Sequence, residues 1–179
     1  MTCIVGLEHE GSVWVGGDSA GVSGTQLSDR LDPKVFHVRD YLIGFTASFR
    51  LGSLLRYRFK PPKPPERGLE RMMATEFVDA VRGCLKEGGL GRVEHSVESG
   101  GTFLVGVNGR LFLIDRDYQL GRYRSGYHAL GAGARVALGA LHVTGELEPK
   151  HRIHLALQAA ECFTTSVRRP FRILHTRAR

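Results

Sequence analysis

Acidic residues are the scarcer charge in this chain: 18 Asp and Glu stand against 25 Lys and Arg, a formal net charge of +7 over 179 residues. Cysteine is scarcer still, with three, and tryptophan occurs once. Cys3, Cys84 and Cys162 are odd in number, widely spaced and each set in apolar sequence, so they read as reduced core thiols rather than disulfides or metal ligands. The eight His show no ligand spacing, and neither a metal nor a cofactor is expected. No apolar run approaches the ~20 residues of a membrane span, and no signal-peptide core precedes the first strand. A cytoplasmic protein without a membrane partner is therefore expected. The positive balance invites a nucleic-acid reading, best supported by Arg168-Arg169-Pro170-Phe171-Arg172 and the later Arg177 and Arg179. No recognition motif accompanies those arginines, and spread charge of this size serves solubility, so no nucleic-acid partner is expected.

A hydrophobic fraction of 42% and a charged fraction of 24% are those of a soluble globular protein. One domain over 1–179 accommodates the chain. The proline knot Lys60-Pro61-Pro62-Lys63-Pro64-Pro65 is a semi-rigid connection too short to separate domains. Leu51 to Tyr57 before it carries apolar residues at helical spacing. After it, a helix is expected to start at Thr75, pack Phe77, Val78, Ala80, Val81, Cys84 and Leu85, and stop at Gly88-Gly89. Two apolar runs, 102–107 and 110–114, bracket Asn108-Gly109, a strong hairpin signal. Strands apolar on both faces need a layer above and below. Helical runs over 134–142 and 149–163, the second opened by Pro149, supply one layer, and a last strand over 171–175 closes the chain.

The N-terminal third carries the chemistry. Thr2 stands directly behind Met1. Removal of the methionine would give one residue both a hydroxyl nucleophile and an amine of pKa roughly 7.7–8.0, able to accept its proton. A hairpin with His9, Glu10 and Gly11 as its loop sets Glu8 opposite Ser12 and Thr2 opposite Asp18. In a second hairpin, 34–38 and 41–46 flank Arg39-Asp40, placing Lys34 opposite Phe45 and near the backbone of Thr46, Ala47 and Ser48. An ammonium that lowers a hydroxyl's pKa and amides that hold an oxyanion are what an acyl-transfer site needs.

The motifs Thr2-Cys3-Ile4-Val5-Gly6, Gly16-Gly17-Asp18-Ser19, Asp32-Pro33-Lys34-Val35-Phe36 and Gly44-Phe45-Thr46-Ala47-Ser48 resemble a proteasome β-type subunit or its simpler bacterial homologues, the HslV-like peptidases, within the N-terminal-nucleophile hydrolases. In that family the catalytic Asp and Lys lie 16 and 32 residues after the terminal Thr, offsets that land on Asp18 and Lys34. The resemblance implies an α+β fold, a four-layer αββα sandwich. It implies Thr2 as nucleophile of a threonine endopeptidase, with Asp18 and Lys34 tuning its hydroxyl and an oxyanion donor at Ala47 or, by strict count, Ser48. Leu130-Gly131-Ala132-Gly133 resembles the family's Gly-Ser-Gly, with Ala132 lacking the hydroxyl. Glu161-Cys162-Phe163-Thr164 resembles its Asp-x-x-Ser, making Glu161 and Thr164 supporting residues. Also implied are a homo-oligomer of stacked rings, polypeptide substrates and an unfolding ATPase partner. Two alternatives stand beside it: a weak or inactive ring-forming scaffold of this fold, and an amidase acting on a small amide.

Overall fold

The computed structural model describes residues 2–94 and 97–176, so Met1, Arg177 and Arg179 lie outside the described residues. A hairpin of β1 (Cys3–His9) and β2 (Ser12–Gly17) opens the chain, followed by a small hairpin of β3 (Ala20–Ser23) and β4 (Gln26–Asp29). β5 (Val35–Val38) and β6 (Tyr41–Phe45) form the next, ahead of α1 (Phe49–Tyr57). α2 (Leu69–Met72) runs through a π-helical turn (Met73–Phe77) into α3 (Val78–Glu87). Strands β7 (Arg92–Glu94) and β8 (Val97–Ser99) pair, then β9 (Phe103–Val107) and β10 (Arg110–Ile114). Short β11 (Leu120–Gly121) and β12 (Tyr127–Gly131) precede α4 (Ala134–Val143), α5 (Pro149–Phe163) and β13 (Arg172–His175). One sheet has the order β12-β1-β2-β13 and the other β11-β10-β9-β6-β5.

Strand alternation assigns each side chain to one of three apolar layers. On β1, Cys3, Val5 and Leu7 face α4 and α5, joining Ala137, Leu141, Ile153 and Leu157. Ile4 points the other way, with Val15, Leu42 and Leu104 between the two sheets. On β6, Tyr41, Ile43 and Phe45 leave that middle layer for a third, packed with Leu55, Phe77 and Val81 of the helices on the far side. Three apolar layers separate four structural ones, giving the αββα sandwich. The sheets approach closely because glycine occupies contact points: a Cβ at Gly44 would meet Ile4 Cγ2 at 2.7 Å, and one at Gly106 would meet Val13 Cγ1 at 2.7 Å. Among the described residues no helix is long and apolar enough to cross a membrane.

The structure corrects several local expectations. The first hairpin turns on Glu10 and Gly11 alone, both at positive φ (45° and 72°), so His9 pairs with Ser12 and Glu8 with Val13. That shifts the register by one from the expected pairing. The second hairpin keeps the expected register, with Val35 opposite Gly44 and the Phe45 N–H donating to Lys34 O at 3.1 Å. Helix after the proline knot starts at Leu69, because Leu69 and Met72 are buried and extend the apolar face backward. Thr75 is inside it and its hydroxyl donates to Arg71 O at 2.8 Å. Cys3 is in the core, but Cys84 is half-buried and Cys162 exposed. The inward face of α5 is set by Ile153, Ala156, Leu157 and Ala160, and Cys162 is rotated off it.

Candidate active site

β2 ends at Gly17, and the next residue, Asp18, still donates its N–H to Cys3 O at 3.3 Å, which keeps its side chain beside the start of β1. Its Oδ1 accepts the Thr2 hydroxyl and the Cys3 N–H (3.0 Å), while Oδ2 accepts the Ala20 N–H (3.0 Å). These bonds tie the carboxylate to both sides of the hairpin end, which is how Thr2 and Asp18 meet although the register is shifted. Lys34, just ahead of β5, donates to Thr2 Oγ1 and, at 2.8 Å, to Asp18 Oδ1. A Cβ at Gly17 would meet Ile4 Cδ1 at 2.7 Å and Val35 Cγ2 at 2.9 Å, so the missing side chain lets the two hairpins close on each other there.

Thr2, Asp18 and Lys34 are 2%, 4% and 4% exposed. A buried carboxylate and ammonium are tolerated together because each neutralises the other and every acceptor is used. Burial lowers the Lys34 pKa from its ordinary 10.5, and the neighbouring Asp18 charge and hydrogen bond oppose that fall. The ammonium is thus held close to the hydroxyl oxygen it donates to. Cys3, one residue further on, has its thiol pushed up to about 12, chiefly by burial and also by the Asp18 charge, which disarms it as a nucleophile.

Beyond β6 the chain turns at Ala47, whose φ of 69° is left-handed. The Ser48 N–H donates to Thr46 O at 3.0 Å, and its hydroxyl caps α1 by accepting from the Arg50 and Leu51 N–H groups. Ser48 therefore has no amide left for an oxyanion. The Ala47 N–H makes no hydrogen bond among the described residues. A non-glycine residue in this conformation costs ~1 kcal/mol. Ala47→Gly is expected to raise stability by about that amount and to keep the amide, so any hydrolytic activity should survive. Denaturant unfolding beside the activity assay checks both.

The supporting residues are placed less uniformly. Gly131 pairs with Cys3, and its φ of 91° brings it so close to Thr2 that a Cβ would lie 2.2 Å from Thr2 O. The Gly133 N–H donates to that same carbonyl at 3.4 Å, so the Gly-Ala-Gly turn does border Thr2, and Ala132 is exposed within it. Glu161 bonds instead to Arg169, accepting its backbone N–H at 2.9 Å and its guanidinium at 2.6 and 3.0 Å. Those bonds hold its carboxyl below the usual range. Thr164 caps the C-terminus of α5, its carbonyl accepting from Val167 N–H and Arg168 Nη1 at 3.4 Å each. Sequence reasoning missed Ser166, buried with no hydrogen-bond partner for its Oγ among the described residues. It lies on the loop whose Arg168 carbonyl accepts from the Ser19 N–H at 3.0 Å and the Ser19 hydroxyl at 3.2 Å. Counting x-x-Ser from Phe163 would have found it, but no acid stands at Phe163 to mark the motif.

No family model matches the sequence, and no curated protein matches it. Solved structures do. The bacterial proteasome homologue BPH of Thiobacillus denitrificans, in complex with epoxomicin, matches with a TM-score of 0.83 at 19% identity, over 99% of this chain and 100% of that one. HslV from Trypanosoma brucei matches at 0.69 and 15% identity, over 97% and 98% of the two chains. An Anbu mutant from Hyphomicrobium sp. strain MC1 matches at 0.69 and 13%, over 97% and 80%. The likeness extends over whole chains while identity stays low, and what it establishes is architecture: this chain has the αββα fold of the proteasome-like N-terminal-nucleophile hydrolases.

Proposed function

We propose that the chain is an N-terminal threonine endopeptidase that cuts polypeptides through an acyl-enzyme on Thr2, working as one proteasome-type domain in the cytoplasm. The observation that carries this reading is the Thr2 hydroxyl held between the Asp18 carboxylate and the Lys34 ammonium in a buried site. Cleavage of the bond between residues 1 and 2 would free the Thr2 amine. That amine takes the proton as Oγ1 attacks the substrate carbonyl carbon, and Lys34, donating to Oγ1, lowers the cost of the developing alkoxide. The new oxyanion accepts from the Ala47 N–H. Collapse expels the substrate amine, which leaves with the proton from Thr2, and water then releases the acid from the ester by the same relay. Asp18 keeps the lysine charged and fixed. No metal or cofactor enters any step.

Hydrolysis of fluorogenic peptides, assayed beside the intact mass of the protein, tests the reading. Protein starting at Thr2 should cleave, and protein carrying Met1 should not, because an amide nitrogen cannot take the proton. Small amides run in parallel separate a peptidase from an amidase. Absence of cleavage by fully processed protein would favour the inactive scaffold, the reading that Ala132 in place of a serine supports.

The same reading includes a homo-oligomeric ring, in stacked copies, that encloses the Thr2 sites, with an unfolding ATPase to feed it and neither nucleic acid nor membrane as a partner. The fold shared with HslV and the Thiobacillus proteasome homologue supports the ring. Obligate interfaces commonly bury ~2,000 Å² or more, so the assembly should survive dilution. Light scattering at micromolar concentration is expected to give a multiple of 19.8 kDa, and a stable particle of that single mass would contradict it.

A further inference from the structure

Beside the site, an open cleft of about 470 Å³ is lined by Val22, Gln26, Leu27 and Ser28 of the β3–β4 hairpin, with Arg30 and Phe49. Among the described residues that line it there is no carboxylate, and Arg30 is the one with a full charge. The cleft adjoins the proposed nucleophile by two routes. It begins at Gly21, directly after Ala20, whose N–H is bonded to Asp18. The Phe49 ring at its wall also has its centroid 5.9 Å from Lys34 Nζ and 4.1 Å from the Arg30 guanidinium carbon.

Three contacts lock Arg30 in place. Its aliphatic stem crosses β3 where glycine leaves room, since a Cβ at Gly21 would lie 2.5 Å from Arg30 Cδ. The guanidinium lies on the Phe49 ring, and Nε and Nη2 both donate to Asp32 Oδ2, the former at 2.8 Å. Nη1 makes no hydrogen bond among the described residues. A guanidinium held this way keeps free donors without further loss of side-chain freedom, which favours a charge-assisted bond to a carboxylate. Through the Phe49 ring and Lys34 it is linked to Thr2 Oγ1, which along an extended peptide at ~3.3 Å per residue puts it within about four residues of a carbonyl placed at Thr2.

We infer that Arg30 determines specificity, selecting peptides that carry an acidic side chain within about four residues of the scissile bond. This rests on the peptidase reading for its biological meaning, but the selection itself is a binding property. The test uses Thr2→Ala protein and two fluorescein-labelled hexapeptides of alanine, one with a central glutamate and one with a central lysine, titrated by fluorescence polarisation. The glutamate peptide is expected to bind roughly tenfold tighter, as one charge-assisted bond allows. Adding Arg30→Gln should bring the ratio to about one, and adding Arg30→Lys should leave part of it. Equal binding, a lysine preference, no binding of either peptide, or a glutamate preference that survives Arg30→Gln would overturn the inference. If the preference holds while processed wild-type protein cleaves neither peptide, the cleft assignment stands and the hydrolase reading falls.

Discussion

Lys34→Ala is expected to reduce peptide hydrolysis by about 10²–10³-fold or more, the cost of removing one preorganised charge-stabilising donor from an active site. It should also destabilise the protein. A lysine at the start of a strand would ordinarily be solvated and dispensable to folding, but this one is buried and paired with Asp18 at 2.8 Å. Truncating it leaves a buried carboxylate without its counter-charge, at a cost of about 3 kcal/mol. The two effects separate in the double variant Lys34→Ala with Asp18→Asn, which removes the orphaned charge. Its unfolding midpoint should recover most of the loss while hydrolysis stays absent. Lys34→Arg should also be poor, since a planar fork cannot reproduce one buried ammonium donating to both Thr2 Oγ1 and Asp18 Oδ1. Near-wild-type turnover in Lys34→Ala would return the residue to a structural role.

Asp18→Asn alone is expected to act through the lysine. In the wild-type site burial lowers the Lys34 pKa and Asp18 raises it, so loss of the carboxylate leaves burial unopposed. Hydrolysis in the wild-type protein should rise as the α-amine, of ordinary pKa roughly 7.7–8.0, loses its proton, and fall again on the alkaline side below 10.5 as Lys34 loses its own. In Asp18→Asn the alkaline limb should move toward neutrality, narrowing the active window from above. Stability runs the other way. Because the folded pKa of Lys34 is below its unfolded value, the folded chain binds fewer protons just under pH 10.5, and its stability against unfolding rises with pH through that window. At neutral pH the unpaired ammonium should cost Asp18→Asn about 3 kcal/mol. An unchanged pH profile in this variant would remove Asp18 from the relay.

The parts of this fold that were legible in the sequence are those with local signals. Asn108-Gly109 sits at φ 47° and 72° between paired Val107 and Arg110, and α5 runs from Pro149 to Phe163, over the helical run that Pro149 opens. The juxtaposition of Thr2, Asp18 and Lys34 was legible through chain offsets, even though the register deduced for the first hairpin was one residue out. The turn there uses Glu10 at φ 45°, a conformation the sequence does not advertise for a glutamate. Other elements had no local signal. β12 owes its existence to β1, more than a hundred residues earlier in the chain. Along β4 all four residues are exposed, so no alternation of apolar and polar side chains marks it. Glu161 resembled a supporting acid in sequence, but Arg169 eight residues on captures it.

The central claim is that Thr2 Oγ1 is the nucleophile and that a free amine on the same residue activates it. Epoxomicin, bound in the matching Thiobacillus structure, provides a reactive probe. The protein is treated with it, digested and mapped by mass spectrometry, with Met1-bearing and processed fractions scored separately and Thr2→Ala alongside. The account predicts an adduct on Thr2 in processed protein, and none in the Met1-bearing fraction or in Thr2→Ala. Labelling elsewhere, or peptide hydrolysis that persists in Thr2→Ala or in protein that keeps Met1 quantitatively, would contradict it.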